Sequence, residues 1–112
     1  ANVVTAALGA ESATADYSAV KVEKGDVIVC VSDGVADANL AAQKAAKAAG
    51  KPWTELNGVR TNREIGDLIH GLNQKGARSA EMTQAIIDYA KQHVEDGRGK
   101  KDNVTACVMR VT

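Results

Sequence analysis

The stretch Val27-Ile28-Val29-Cys30-Val31-Ser32-Asp33-Gly34 decides how this chain is read. Four of its first five residues are β-branched, and the run predicts a fully buried strand. It stops abruptly at a turn-type dipeptide, Asp33-Gly34. A second stretch, Asp102-Asn103-Val104-Thr105-Ala106-Cys107-Val108-Met109-Arg110-Val111, reverses that order, with the acidic signal first and an apolar strand from Val104 to Val111 after it. If the two strands lie antiparallel and adjacent, Asp33 and Asp102 emerge at the same end of the sheet. Two carboxylates brought together there repel by roughly 3–4 kcal/mol at about 4–5 Å in an effective dielectric near 20. A divalent cation with oxygen ligands removes that repulsion, so the pair points to a metal site.

Bulk properties narrow the field. The chain has 112 residues, enough for one small domain with a real core, with 14 basic and 14 acidic residues. The balanced charge carries no basic stripe that would argue for nucleic acid, and no apolar run is long enough to span a membrane. Ala1-Asn2-Val3-Val4 lacks the charged start and apolar core of a signal peptide. The two cysteines, Cys30 and Cys107, fall inside predicted strands and read as buried free thiols, although neighbouring strands would let them face each other. Nothing else resembles a secreted, disulfide-stapled domain, so an intracellular and cytoplasmic protein is expected. With Trp53, Tyr17 and Tyr89 as the aromatics and no Phe, the core must be built from Val, Ile, Leu and Ala.

Outward from the two strands, Val3 to Leu8 reads as a further strand and Tyr17 to Val22 as a half-buried one. The Lys24-Gly25-Asp26 turn would join the latter to Val27–Val31 as a hairpin. Ala38 to Ala49 is an Ala-rich helix with a solvated polar side, ended by Gly50 and Pro52. The loop from Lys51 to Arg60 holds Trp53 and the turn Asn57-Gly58. Thr61-Asn62-Arg63-Glu64 fits a capping box that starts the next helix, and Ile65, Leu68, Ile69 and Leu72 form its apolar face. Ser79 is the expected cap of a third helix whose stripe is Met82, Ile86, Tyr89, Ala90 and Val94. Three strands, three helices and a returning strand do not make a repeating βαβ pattern. The expected class is α+β, a mostly antiparallel sheet with helices packed on it.

Each chemical signal also has a plain reading. Asp33-Gly34 serves as a turn, Asp37 as ordinary helix-terminal capping, and Asp102-Asn103 as the polar end of the loop Gly97-Arg98-Gly99-Lys100-Lys101. His70 and His93 lie near apolar helix faces and read as packing or surface residues. Ser32 has no His or Lys in a nucleophile arrangement, and neither a phosphate-binding loop nor zinc-ligand spacing occurs.

The combination is more specific than its parts. Ser32-Asp33-Gly34-Val35-Ala36-Asp37 after an apolar strand, and Arg98-Gly99-Lys100-Lys101-Asp102-Asn103-Val104-Thr105 before another, resembles the PPM metal-dependent protein phosphatases, protein phosphatase type 2C. Gly25-Asp26-Val27-Ile28-Val29 is similar to the lead-in of the family's strand. Ala7-Leu8-Gly9 is similar to its Arg-Ala-Leu-Gly segment, with Ala6 where Arg is usual, and Asn62 to Leu72 to the helix after the first motif.

This resemblance covers nearly the whole chain and implies that residues 1–112 are the C-terminal portion of a PPM catalytic domain, part of an α-β-β-α sandwich. It implies dephosphorylation of phosphoserine or phosphothreonine in proteins, with water activated by two or more Mg²⁺ or Mn²⁺ ions. Asp33 and Asp102 match the family's metal ligands, and Asp37 an acidic residue of a third, weaker metal. Gly34 would permit close backbone approach, and Asn103 would orient the Asp102 loop by hydrogen bonds.

The departures shape the expectation equally. The family's bridging aspartate, in an Asp-Gly-x-x-Gly motif, and its phosphate-holding arginine have no counterpart here. Asp96-Gly97-Arg98-Gly99 lies in the loop before Asp102 and is not that motif, and the Ala-rich helix reads as an insertion. The chain alone would be incomplete and inactive. Its expected partners are a phosphoprotein substrate and either the missing N-terminal half of the domain or a second copy of the chain, drawn to the exposed sheet face and strand edges. A non-catalytic phosphatase-like module with a partner-binding or regulatory role is the alternative.

Overall fold

The Val27–Ser32 run forms the middle strand of a three-stranded sheet in a computed structural model that describes residues 3–8 and 19–112. In chain order the elements are β1 (Val3–Leu8), β2 (Val27–Ser32), α1 (Asp33–Ala36), α2 (Leu40–Ala48), α3 (Asn57–Gln74), α4 (Ser79–Glu95) and β3 (Ala106–Arg110). Strand β2 pairs with β3 antiparallel, setting Val29 opposite Val108 and Cys30 opposite Cys107. It pairs with β1 in parallel, Val3 opposite Val27 and Leu8 opposite Ser32. The architecture mixes helix and strand as expected of an α+β domain, but of the two strand pairings among the described residues one is antiparallel and the other parallel.

That parallel pairing corrects the expected hairpin. Residues Ala19 to Val22 are not a strand, and Val20 and Val22 are exposed, while Tyr17 and Ser18 lie outside the described residues. Both edges of β2 are already hydrogen-bonded, to β1 and β3, so residues Ala19 to Val22 find no edge of β2 to pair with. The Lys24-Gly25 turn itself forms. Gly25 adopts φ +93°, a conformation that favours glycine, and donates its N–H to the Val111 carbonyl at 2.8 Å, tying the turn to the end of β3.

Alternation along β2 sorts its side chains. Val27, Val29 and Val31 are buried with Val108 against Ile65 and Ile69 of α3, Met82, Ile86 and Ala90 of α4, and Val35 of α1. The opposite face carries Ile28, Cys30, Cys107 and Met109, half-buried or exposed. Among the described residues, a strand reading as buried throughout is therefore covered by helices on one face only. Burying a Val or Ile side chain stabilises by roughly 1.5–3 kcal/mol, so this single apolar layer supplies the main driving force for the fold.

The helices follow the expected periodicity with shifted ends. Helix α2 buries none of its residues completely, in keeping with a solvated Ala-rich helix. Helix α3 starts at Asn57, one turn before the expected cap. Thr61 and Glu64 consequently do not form a capping box: Thr61 is buried inside the helix, and Glu64 accepts hydrogen bonds from Asn39 and Tyr89. Tertiary contacts move the boundary, because the Asn57 N–H is taken by the Gln43 side chain at 3.0 Å and its amide is drawn into the interior. At α4 the cap is Arg78 rather than Ser79, with the Arg78 N–H donating to Glu81 Oε1 at 3.2 Å. Among the described residues no helix is long and apolar enough to cross a membrane.

Candidate functional site

The two acidic motifs meet at the end where β2 finishes and the chain returns towards β3. Beyond the last paired residues of the ladder, the Ser32 N–H donates to the Thr105 carbonyl at 2.9 Å. The Ser32 hydroxyl then does two further things. It accepts from the Thr105 N–H at 2.9 Å and donates to the Asn103 carbonyl at 3.2 Å. A hydroxyl is suited to this because it is donor and acceptor at once. Ser32 thereby extends the β2–β3 ladder with its side chain and clamps the segment after Asp102 to the start of α1.

Gly34 completes the junction. A Cβ there would sit 2.2 Å from the Asn103 carbonyl oxygen and 3.3 Å from a Val104 methyl group, so only glycine fits beneath that carbonyl. Asn103 takes part in the junction through its main chain. Its N–H donates to Asp102 Oδ1 at 2.8 Å, and its carbonyl receives Ser32.

Asp33 and Asp102 are both exposed at this junction. Beside Asp102 lies an open depression of about 560 Å³, whose rim includes Lys91, Glu95 and Lys101. Asp37 is half-buried four residues after Asp33, at the C-terminal end of the short α1 rather than at the start of the Ala-rich helix. Its N–H donates to the Asp33 carbonyl at 2.9 Å, and its Oδ1 accepts from Asn57 Nδ2 at 3.0 Å. The three aspartates do not close into a ligand cluster: among the described residues no group of three or more His, Cys, Asp or Glu side chains is arranged to hold a metal ion. Asp37 has a structural partner in Asn57 that competes for one of its oxygens. Asp33 and Asp102 offer the hard oxygen donors that suit Mg²⁺ or Mn²⁺, but fewer than such an ion takes.

Behind the junction is a polar network that sequence reasoning missed. Asn39 is fully buried and donates through Nδ2 to Glu64 Oε1 at 2.8 Å and Thr61 Oγ1 at 3.0 Å. The Tyr89 hydroxyl also donates to Glu64 Oε1, at 2.8 Å. The His93 ring packs tilted against Tyr89, with 4.1 Å between ring centroids, and its Nε2 lies 3.6 Å from the same carboxylate oxygen. Asn57 joins this network to the candidate site, accepting from the Asn39 N–H and the Thr61 hydroxyl while donating to Asp37 and the Ala36 carbonyl. Burial alone would raise the Glu64 pKa. The bonds from Asn39 and Tyr89, with His93 and Arg60 nearby, outweigh it and hold the carboxyl below its ordinary value. Burial, then the Glu64 carboxylate, pushes the Tyr89 phenol far up, so it remains a neutral donor.

One signal pointed towards this network. Glu64 adjoins Ile65, the first residue of the apolar stripe, which places a carboxylate at the edge of the core. His70, by contrast, is exposed, and His93 is a half-buried packing residue as expected. No protein-family model, no curated protein and no solved structure matches this chain.

Proposed function

We propose that this chain is the C-terminal part of a PPM-type protein serine/threonine phosphatase and contributes Asp33 and Asp102 to its metal site. The observation that carries the reading is the clamp at Ser32. Two motifs some seventy positions apart, whose pairing motivated the resemblance, are joined by Ser32 Oγ to the Asn103 carbonyl and by Gly34 beneath it. A turn and an unrelated polar loop would have no need of a serine hydroxyl and a missing side chain at their contact.

In this reading Asp33 and Asp102 would hold Mg²⁺ or Mn²⁺ jointly with carboxylates from another segment. The ions would supply the positive charge that activates water and offsets phosphoryl charge in hydrolysis of a phosphoserine or phosphothreonine ester. This chain's own contribution is positional. Ser32 and Gly34 fix the spacing of the two aspartates, the Asn103 N–H steadies one Asp102 oxygen, and Asn57 holds Asp37 at the side.

The test is Mn²⁺-dependent hydrolysis of a phosphothreonine peptide by the longest natural chain containing this domain, beside its Asp33→Asn and Asp102→Asn variants. Loss of activity in both variants is expected, and equal activity in wild type and variants overturns the reading. The alternative, a non-catalytic phosphatase-like module, is favoured by one observation, the engagement of Asp37 by Asn57. Calorimetry with Mn²⁺ on this chain separates the two: heat that disappears in Asp33→Asn supports the metal role, and no heat at millimolar Mn²⁺ supports the module.

A further inference from the structure

The sheet face turned away from the helices holds the second unusual feature. Cys30 and Cys107 are directly opposite each other in the β2–β3 register, and both are free. They share one open depression of about 310 Å³ with Ser32 and Thr105. Cys107 is exposed and Cys30 half-buried.

The type of pairing at this position follows from its neighbours. Hydrogen-bonded pairs alternate along an antiparallel ladder. The Ser32 N–H to Thr105 carbonyl bond lies two residues to one side, and the Val111 N–H to Asp26 carbonyl bond lies four residues to the other. Cys30 and Cys107 therefore occupy a hydrogen-bonded pair, where Cα atoms are about 5.5 Å apart. That separation lies within the roughly 4.4–6.8 Å that disulfides span, but the Cβ atoms of such a pair stand about 5.5 Å apart, wider than the about 3.5–4.5 Å of a relaxed bridge, so closure draws the strands together and gives a strained, readily reduced bond.

We infer that Cys30 and Cys107 form a redox-responsive dithiol that closes to a reversible cross-strand disulfide when it meets a hydroperoxide. The more exposed Cys107 attacks a peroxide oxygen as its thiolate, becoming a sulfenic acid as the O–O bond breaks and water or an alcohol leaves. The Cys30 sulfur then attacks the Cys107 sulfur and displaces the hydroxyl as water, giving the S–S bond. In sum two thiols lose two hydrogens, and one peroxide is reduced. The site uses neither the metal nor the aspartates, and the two readings are told apart by the longer chain: a second sheet packed on this face, as the phosphatase reading implies, would shield both thiols there, whereas thiols that react in the folded longer chain support the dithiol.

The experiment is titration with one equivalent of hydrogen peroxide, applied to this chain and to the longest natural chain containing it. Intact mass, thiol reactivity with a chromogenic disulfide and non-reducing electrophoresis are the readouts. Expected is a monomer lighter by two hydrogens, simultaneous loss of both thiols, and ready reversal by a thiol reductant. Cys30→Ser should instead leave Cys107 to gain oxygen or cross-link between chains. The inference is overturned if the wild type gains oxygen or cross-links between chains as Cys30→Ser does. It is also overturned if the thiols of the longer chain react only after unfolding, as they would were this face covered there.

Discussion

The carbonyl oxygen of Asn103 occupies the space that a side chain at Gly34 would need: an added Cβ would lie 2.2 Å from it. This contact and the Ser32 hydroxyl bonds are what place Asp102 beside the start of α1. Sequence, packing and the proposed chemistry therefore converge on one glycine.

Gly34→Ala should destabilise the protein although Ala is the better helix former. The propensity gain is at most about 1 kcal/mol. Forcing the 103–104 backbone aside costs about 1–3 kcal/mol, as overpacking usually does. Gly66→Ala is the control, since a Cβ there meets nothing within 4 Å and lies inside α3. It should stabilise by about 0.5–1 kcal/mol. Chemical denaturation of both variants measures the opposite signs, and a stabilised Gly34→Ala would show that the contact yields freely.

If the two carboxylates face each other across the Ser32–Asn103 junction, Asp33→Asn and Asp102→Asn should each raise the melting temperature slightly without divalent metal, by removing one of two like charges. The effect should be no more than about 1 kcal/mol, because both groups are exposed. It should shrink in 0.5–1 M salt, where charges are screened within a few ångströms. Scanning fluorimetry with and without Mn²⁺ checks it. The wild type should gain stability on adding Mn²⁺ and the variants should not.

Asn39→Ala should cost about 1–3 kcal/mol, because it strips hydrogen-bond donors from Glu64 and Thr61 inside the protein. Tyr89→Phe removes the other donor to the same Glu64 oxygen. The two losses should be non-additive by at least about 0.5 kcal/mol, as for residues sharing one partner. A double-mutant cycle by urea unfolding measures this coupling, and strict additivity would mean that the network does not act as a unit.

Acid should weaken the fold partly through Glu64. Its folded pKa lies below the unfolded value, so in the window between them the unfolded chain binds more protons. The stability it contributes is fully present above the unfolded pKa, about 4.3, and is lost as the pH falls through the folded one. Glu64→Gln should be less stable at pH 7 and should show a flatter loss of stability below about pH 4.3. Unfolding free energies measured from pH 3 to 7 report it, and parallel curves for wild type and variant would assign the acid sensitivity elsewhere.

Much of the architecture was legible in the sequence because it is local. The β-branched run of β2, the i, i+3, i+4, i+7 stripe of α3 and the Met82–Ile86–Ala90 stripe of α4 each state their own geometry, and they supply Val27, Val29, Val31, Ile65, Ile69, Met82, Ile86 and Ala90 to the core. The antiparallel meeting of β2 and β3, the condition for Asp33 and Asp102 to emerge at one end of the sheet, is observed. The helix start at Thr61 and the Tyr17–Val31 hairpin failed for a common reason. Both rested on short-range signals, a capping pattern and a turn, where long-range partners decided the outcome.

What the sequence by itself determined is therefore the identity of the buried stripes and the two motifs at the strand ends, since periodicity and turn chemistry are properties of neighbouring residues. Only the tertiary structure decided that β1 takes the edge of β2 and that α3 begins at Asn57. It alone drew Asn39, Glu64 and Tyr89 into one buried network, set the two cysteines opposite each other, and tied Asp37 to Asn57. A strand edge accepts any backbone, and a buried amide accepts any partner within reach. Those choices are made by the competition of distant segments for the same hydrogen bonds, which no local pattern records.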